Sequence, residues 1–101
     1  MEFAGFEWDD ANTEKCQKHG VSIAGIEGLF AGTVAIVPTE PGSDLAGRSV
    51  AIGRTRTGRT LFVVFTLRPR GNAVLIRPIS ARFMHDKEVQ SYEKENPDLS
   101  K

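Results

Sequence analysis

The arginines of this chain are concentrated in one stretch. All eight lie between positions 48 and 82, where the 101-residue sequence contains no Asp or Glu. The planar guanidinium group donates two parallel hydrogen bonds, a geometry that suits a phosphate group better than the point charge of lysine does. This stretch therefore predicts a surface that meets an anion, and a nucleic-acid backbone is the anion that fits it best.

The rest of the chain is acidic. Residues 1–47 hold eight acids against two lysines, and residues 83–101 hold five acids against three lysines. The formal net charge of +0 is therefore the sum of segments of roughly −6, +8 and −2. Many nucleic-acid-binding proteins are basic overall, and this chain is not, so its total charge does not support nucleic-acid binding. The support comes from the segregation of the arginines into one segment.

Length and composition predict one domain over residues 1–101, with a single modest core. No apolar run approaches the ~20 residues that span a bilayer, and the N-terminus does not resemble a secretory signal. Cys16 has no partner for an internal disulfide, so we expect a cytoplasmic protein in which this residue is small and buried. One cysteine and two histidines also argue against a zinc site, and we expect no cofactor.

The first half of the chain predicts two helices between two short strands. The expected elements are a strand at 6–8, helices at about 10–19 and 22–30, a strand at 33–37 and a loop at 38–47. Asp9 or Asp10 can cap the first helix and Gly20 can end it. Ser22 can cap the second helix, and Pro38 ends the strand that follows.

In the second half the hydrophobic period changes to two, which indicates strands. We expect strands at 48–56 and 59–68 around a two-residue turn at Thr57 and Gly58, then a strand at 73–81 and a helix at 84–95. This turn places Ile52 opposite Val63, and one face for the helices to cover then carries Val50, Ile52, Leu61, Val63, Phe65 and Leu67.

Two further features complete the expected α+β fold, a small antiparallel sheet with N-terminal helices and a C-terminal helix. The apolar run at 61–67 predicts a central strand, and Pro78 predicts a sheet edge or a bulge. The order is then β-α-α-β-β-β-β-α, and residues 96–101 form a frayed tail.

Three blocks of sequence carry a family resemblance. They are Phe6-Glu7-Trp8-Asp9 with residues 18–22; Arg48 and 51–53 running into 61–66 and Arg68; and Ile76-Arg77 and 79–82 with Glu88 and Tyr92. In this order and spacing, from residue 6 to about 95, the chain resembles the BrnT family of bacterial toxins, the ribonuclease partners in type II toxin–antitoxin pairs. Asn12 and Cys16 depart from the residues common in that family, which are Lys and Asn.

The resemblance implies a fold similar to RelE-type toxins and an endoribonuclease that slows growth by cutting RNA. It also implies a BrnA-type antitoxin with a ribbon-helix-helix part, which silences the toxin in a hetero-oligomer. The alternative is a non-catalytic module of the same fold that binds only nucleic acid or the antitoxin. A third hypothesis is a regulatory domain whose arginines pair with the acidic N-terminal half.

Metal-independent RNA cleavage needs a base for the 2′-hydroxyl, cations for the phosphorane and an acid for the leaving oxygen. His19 can serve as base or acid, although a cation there also suits a helix C-terminus. Tyr92 can donate a proton or stack on a base, or it can simply pack. The arginines within the family blocks, which could neutralise the transition state, are Arg68, Arg77 and Arg82.

Arg77 is notable among these arginines because it lies mid-strand and its own segment contains no acid. The remaining arginines of the stretch (apart from Arg70) are expected to bind nucleic acid at the rim of the sheet, or to form a solvated surface. They are Arg48, Arg54, Arg56 and Arg59.

Overall fold

The computed structural model describes residues 3–32, 34–38, 47–55 and 57–95. Within these ranges, five strands and three helices follow one another in the predicted order. They are β1 (Gly5–Phe6), α1 (Asp10–Gln17), α2 (Ile23–Ala31), β2 (Val34–Pro38), β3 (Ser49–Arg54), β4 (Thr60–Arg70), β5 (Ala73–Phe83) and α3 (Asp86–Glu95). Most of the predicted loop at 38–47 and the predicted tail at 96–101 lie outside the described residues.

The strands form one mixed sheet in the order β1-β5-β4-β3-β2. β1 runs parallel to β5, and the other neighbouring strands are antiparallel. The expected α+β class is therefore confirmed, and the apolar strand β4 is central, as its sequence predicted. No helix in the described part of the chain is long and apolar enough to cross a membrane.

The two N-terminal helices begin at the predicted caps. Asp9 caps α1, where its side chain accepts a hydrogen bond from the backbone N–H of Asn12 at 3.1 Å. Ser22 caps α2 by accepting from the backbone N–H of Gly25 at 2.9 Å. Gly20, which follows α1, has a φ of +83°, a left-handed conformation that side chains disfavour.

Both helices pack on one face of the sheet, which we call the first face. The core here joins α1, α2 and the strands through Cys16, Val21, Ile26, Leu29, Phe30, Ala51, Leu61, Val63, Phe65, Ile76 and Ala81. Phe30 and Phe65 meet edge to face, with ring centroids 5.2 Å apart. Burial raises the pKa of the Cys16 thiol to about 11, which fits the predicted role of this residue as a small apolar group.

The predicted register of the β3–β4 hairpin is wrong by one residue. Ile52 pairs with Phe62 and not with Val63. The hairpin closes at Thr55 and Arg59, where the Thr55 N–H donates to the Arg59 carbonyl at 2.7 Å, so three positions lie between the two residues of this last pair. Gly58 has a φ of +86°, which serves a three-residue loop as well as a tight turn.

This shift exchanges the two faces of β3, because successive side chains of a strand point to opposite sides. Val50 and Ile52, predicted to lie under the helices, pack instead on the opposite face, which we call the second face. They form a second cluster there with Val64, and Phe62, Ile79 and Met84 pack against it. The β4 residues Leu61, Val63 and Phe65 lie on the first face as predicted.

The pairing of β4 with β5 contains a bulge at the predicted proline. Val64 pairs with Ser80, whereas the next residue, Phe65, pairs with Pro78, so Ile79 is an extra residue in β5. Proline has no N–H to donate to a ladder and is tolerated at such interruptions.

The bulge determines the direction of two arginines. Arg77 and Arg82 are five residues apart, so a regular strand would point them to opposite faces. Here they pair with Thr66 and Phe62, which are four residues apart on β4 and therefore share a face. Both arginines consequently belong to the second face of the sheet.

Asn12 ties the bulge to the start of α1. Its side-chain amide donates to the carbonyl of Glu7 at 2.9 Å and to the carbonyl of Pro78 at 2.8 Å. Its amide oxygen accepts from the backbone N–H of Asp9 at 2.7 Å, which completes a capping box. Asn12 is only 4% exposed, and its bond to Pro78 is buried.

We expect Asn12→Ala to lower the free energy of unfolding by about 2–4 kcal/mol, because each buried polar group left unpaired costs about 1–3 kcal/mol. Urea denaturation measures this change. Gln17→Ala removes an exposed amide from the same helix and should change the free energy of unfolding by less than about 0.5 kcal/mol. Equal effects of the two substitutions would contradict the role assigned to Asn12.

Candidate functional site

Charged residues gather in two places, one at each end of the β4–β5 pair. At the end near β1, the carboxylate of Glu7 is shared by three arginines. Its Oε1 lies 3.1 Å from Arg77 Nη1 and 3.6 Å from Arg68 Nε, and its Oε2 accepts from Arg70. Asp9 Oδ2 lies 2.8 Å from Arg77 Nη2. We call these five residues the Glu7 cluster.

Arg77 is the least exposed of the three arginines, with 15% of its side chain accessible. Hydrogen bonds and charge from Asp9, and then from Glu7, raise its pKa. The pKa of Asp9 is lowered, first by the hydrogen bond from the Asn12 backbone and then by that from Arg77. Arg77 therefore pairs with two acids from the N-terminal part of the chain, Glu7 and Asp9, although its own segment contains no acid.

At the other end of the strands lies a cleft of about 370 Å³, which we call the histidine cleft. It is lined by His19, Arg59, Arg82, Phe83, Met84 and His85. Both histidines of the sequence therefore face one space together with two guanidinium groups. Imidazole is the side chain that most readily gives and takes protons near neutral pH, so this composition can support acid–base chemistry beside an anion.

Different elements position the two histidines. His19 lies in the turn between α1 and α2, just before the left-handed Gly20. His85 directly precedes α3, where its carbonyl accepts from Val89 and its N–H donates to Glu88 Oε1 at 3.0 Å. The backbone of His85 is thus fixed at the helix start, and its exposed side chain lines the cleft.

Aromatic rings orient the two arginines of the cleft. The Arg59 guanidinium lies 3.6 Å from the centroid of Phe83, and that of Arg82 lies 4.5 Å from the centroid of Phe62. Such cation–π contacts contribute roughly 0.5–1 kcal/mol each at exposed sites. They hold planar donors beside the histidines at a smaller desolvation cost than a buried ion pair would impose.

Glu88 holds Arg82 from the other side. Its two oxygens accept from Arg82 Nη1 and Nη2 at 2.9 and 3.0 Å, a bidentate pair. These bonds, together with that from the His85 backbone, lower the pKa of Glu88 to about 2. The carboxylate therefore stays ionised at neutral pH and fixes the plane of the guanidinium.

A larger cleft of about 750 Å³ adjoins the histidine cleft, since Phe83 lines both. Its wall is made mainly of small residues of α2 and its flanking turns, including Gly25, Gly28 and Gly32, and the hairpin contributes Arg54 and Thr55. None of its described lining residues is a histidine or an acid, so we place the chemistry in the smaller cleft, where the two histidines lie.

The residues predicted to act together are thus divided between two places. His19 and Arg82 share the histidine cleft with Arg59, whereas Arg68 and Arg77 belong to the Glu7 cluster. The structure does not bring these two arginines and His19 into one pocket.

The remaining predicted residues lie away from the histidine cleft or outside the residues that the structure describes. Arg48 is exposed just before β3, and Arg54 lies at the end of that strand beside the larger cleft. Arg56 and the side chain of Tyr92 lie outside the described residues, although Tyr92 belongs to α3.

Sequence reasoning missed two contributors to these sites, His85 and Glu7. For His85 a signal existed, because an acid three residues later, Glu88, is typical of a capping box that orders the residue before a helix. For Glu7 there was no local signal, since its partner Arg77 is 70 positions away. Within the described ranges, no group of three or more His, Cys, Asp or Glu side chains could hold a metal ion.

The fold and the two sites define a small α+β protein with a cationic sheet face and a cleft suited to acid–base chemistry on an anion. A family model described as the ribonuclease toxin, BrnT, of type II toxin–antitoxin systems matches residues 8–88. The chain therefore belongs to the BrnT family of ribonuclease toxins, as its sequence motifs indicated. A comparison with curated proteins gave no significant match.

The matched region contains His19, Arg59, Arg82, His85 and Glu88, and thus the whole histidine cleft. Membership also assigns the general partners: RNA is the substrate class of a ribonuclease toxin, and an antitoxin is the protein partner in a type II system. Tyr92 lies beyond the matched residues.

Glu88 should make the stability of the fold depend on pH. Its pKa is about 2 here against an ordinary value of 4.5, so its stabilising effect is complete above about pH 4.5 and declines as the pH falls towards 2. We expect Glu88→Gln to be less stable than the parent at pH 6 and to lose less stability between pH 4.5 and 2. Thermal unfolding across this range measures both effects.

Glu14→Gln, which changes an exposed acid of α1, is the matched control and should follow the parent curve. If Glu88→Gln and the parent lost the same stability over this pH range, the Arg82–Glu88 pair would not stabilise the folded state.

Proposed function

We propose that this chain is an active, metal-independent endoribonuclease whose chemistry takes place in the histidine cleft. The observation that carries the proposal is the convergence of both histidines and two oriented arginines on one cleft. Acid–base catalysis of this reaction needs two proton-transferring groups near one phosphate, and two histidines that line one cleft are suited to that role without a metal. We further propose that a BrnA-type ribbon-helix-helix antitoxin neutralises the enzyme.

In the proposed reaction the 2′-oxygen of a ribose attacks the adjacent phosphorus. One imidazole accepts the proton of the 2′-hydroxyl as the new P–O bond forms. The bond to the 5′-oxygen then breaks, and the other, protonated imidazole gives that oxygen its proton. The products are a 2′,3′-cyclic phosphate and a 5′-hydroxyl. Because one imidazole must be neutral and the other protonated, the rate should be bell-shaped in pH.

The two arginines would stabilise the five-coordinate phosphorane, which carries more negative charge on its equatorial oxygens than the ground state does. Arg82 is suited to this role because Glu88 and the Phe62 ring already fix its plane, so little reorganisation is needed. Glu88 would then act as a positioning residue. Arg59, stacked on Phe83, supplies the second guanidinium.

The other predicted residues keep separate roles in this proposal. Arg48, Arg54 and Arg56 remain predicted contacts to nucleic acid outside the cleft. Tyr92, four residues beyond Glu88 on α3, remains a predicted proton donor or base-stacking group. Arg68 and Arg77, predicted from the sequence to be catalytic, are more easily explained by binding, because the Glu7 cluster lies at the opposite end of the strands.

A non-catalytic binding module is the second candidate function. The observation that favours it is the pairing of arginines with acids of the same chain, at Glu7 and at Glu88, which reduces the charge available to a transition state. Such a module would bind RNA or the antitoxin in a salt-sensitive way but release no product.

Incubation of the purified chain with RNA in EDTA separates the two functions. The active enzyme should yield fragments that end in cyclic phosphate. His19→Ala and His85→Ala should each lower the cleavage rate roughly 10²–10⁴-fold, the usual contribution of a general acid or base. Lys18→Ala, a neighbouring exposed cation, is the matched control and should cleave like the parent.

Absence of cleavage by the intact chain would overturn the enzymatic proposal in favour of the binding module. Cleavage at the parental rate by both histidine variants would leave the activity but exclude the histidine cleft as its site. The antitoxin proposal is tested separately, by co-purifying the chain with the product of the neighbouring reading frame. A ribbon-helix-helix protein in a stable complex that suppresses cleavage is the expected result.

A further inference from the structure

We propose that the Glu7 cluster is a second phosphate-binding subsite, which holds the RNA backbone a few nucleotides away from the bond that is cut. This inference rests on the proposed function, because the bond that is cut is the one that the proposed ribonuclease cleaves. The binding of RNA by the cluster can be measured without cleavage. Its ligand is a phosphodiester group of single-stranded RNA, and the residues that contact it are Arg68 and Arg70.

The first support is that one arginine of each site, Arg77 and Arg82, points to the same face of the sheet. The bulge in β5 directs Arg77 and Arg82 to the same side of the sheet, opposite Thr66 and Phe62 of β4. Four residues of β4 separate these partners, so the two backbone positions are about 13 Å apart at ~3.3 Å per residue. At ~3.4 Å per nucleotide along one strand, about four nucleotides cover this distance.

The second support is the imbalance of charge in the cluster. Three guanidinium groups face two carboxylates, so the cluster as a whole remains cationic. Arg68 and Arg70 have 51% and 62% of their side chains exposed, whereas Arg77 is held by both acids. The two exposed arginines are therefore the groups that an incoming phosphate can reach.

The carboxylate of Glu7 orients these arginines but does not saturate them. Its contact with Arg68 Nε is 3.6 Å, an ion pair that is longer than a hydrogen bond. A guanidinium has five N–H donors, so Arg68 can keep this contact and still donate to a phosphate oxygen. Glu7 thus gathers the arginines before RNA arrives, and it also competes with the phosphate for them.

The test compares cleavage of a dinucleotide with cleavage of an eight-nucleotide RNA by the double variant Arg68→Ala, Arg70→Ala. The variant should cleave the dinucleotide, which fills only the histidine cleft, like the parent. For the longer RNA, KM should rise roughly 10–100-fold, because the variant loses charge-assisted hydrogen bonds to one phosphate group, while kcat stays unchanged. The double variant Lys15→Ala, Lys18→Ala removes the same charge from α1 and the residue that follows it, and it is the matched control.

Equal losses on both substrates would overturn the subsite and make these arginines part of the chemistry. Parental cleavage of both substrates would show that the cluster binds no RNA. Either result leaves the proposed ribonuclease activity itself intact, so the two proposals fail separately.

A binding measurement extends the test to a chain that does not cleave. Fluorescence anisotropy with a 2′-O-methylated eight-nucleotide RNA should show weaker binding by the double variant. Its salt slope should be smaller by about 0.7 for each phosphate group that the variant no longer neutralises. Glu7→Gln, which removes the competing carboxylate, should bind this RNA more tightly than the parent. Weaker binding by a Glu7→Gln variant whose circular dichroism shows an intact fold would mean that Glu7 does not compete with the phosphate for the arginines.

An acidic peptide of glutamates provides the last comparison. If the double variant lost affinity for this peptide and bound the RNA like the parent, the Glu7 cluster would be a surface for an acidic protein partner and the RNA subsite would be excluded.

Discussion

The arrangement of this protein depends on the buried amide of Asn12. That single side chain joins the start of α1, the end of β1 and the bulge of β5 through bonds to Asp9, Glu7 and Pro78. Glu7 and Asp9 are themselves members of the Glu7 cluster, and Pro78 directly follows a third member, Arg77. Because buried amides must be satisfied in full, the polar network specifies one relative position for elements that apolar packing alone would allow to slide.

Local features of the sequence were sufficient to predict much of the fold. The caps at Asp9 and Ser22 act within three residues of themselves, so their chemistry is visible in the sequence. The bulge at Pro78 was predictable for the same reason, since proline cannot donate to the ladder. The hairpin register was not, because Gly58 serves both two-residue and three-residue loops, and the apolar residues of β3 suit either face.

The candidate site was predictable only in part. The concentration of arginines indicated a cationic surface, and the order of the motifs indicated the family that the comparison then showed. The partition of those arginines into two groups depends on strand register and on a bulge, which composition does not reveal. The pairing of Glu7 with Arg77 joins positions 70 residues apart, so it emerges only when β1 lies beside β5.

The bulge of β5 limits how the sequence between Arg77 and Arg82 can change. The five-residue spacing of Arg77 and Arg82 keeps both arginines on the second face only because Ile79 is an extra residue in β5. If β5 were regular at this spacing, one of the two arginines would point to the helix side, where the core excludes charge. Deleting Ile79 itself would leave a spacing of four and keep both arginines on the second face. The bulge and the five-residue spacing are therefore coupled, and neither can change alone without separating the two arginines.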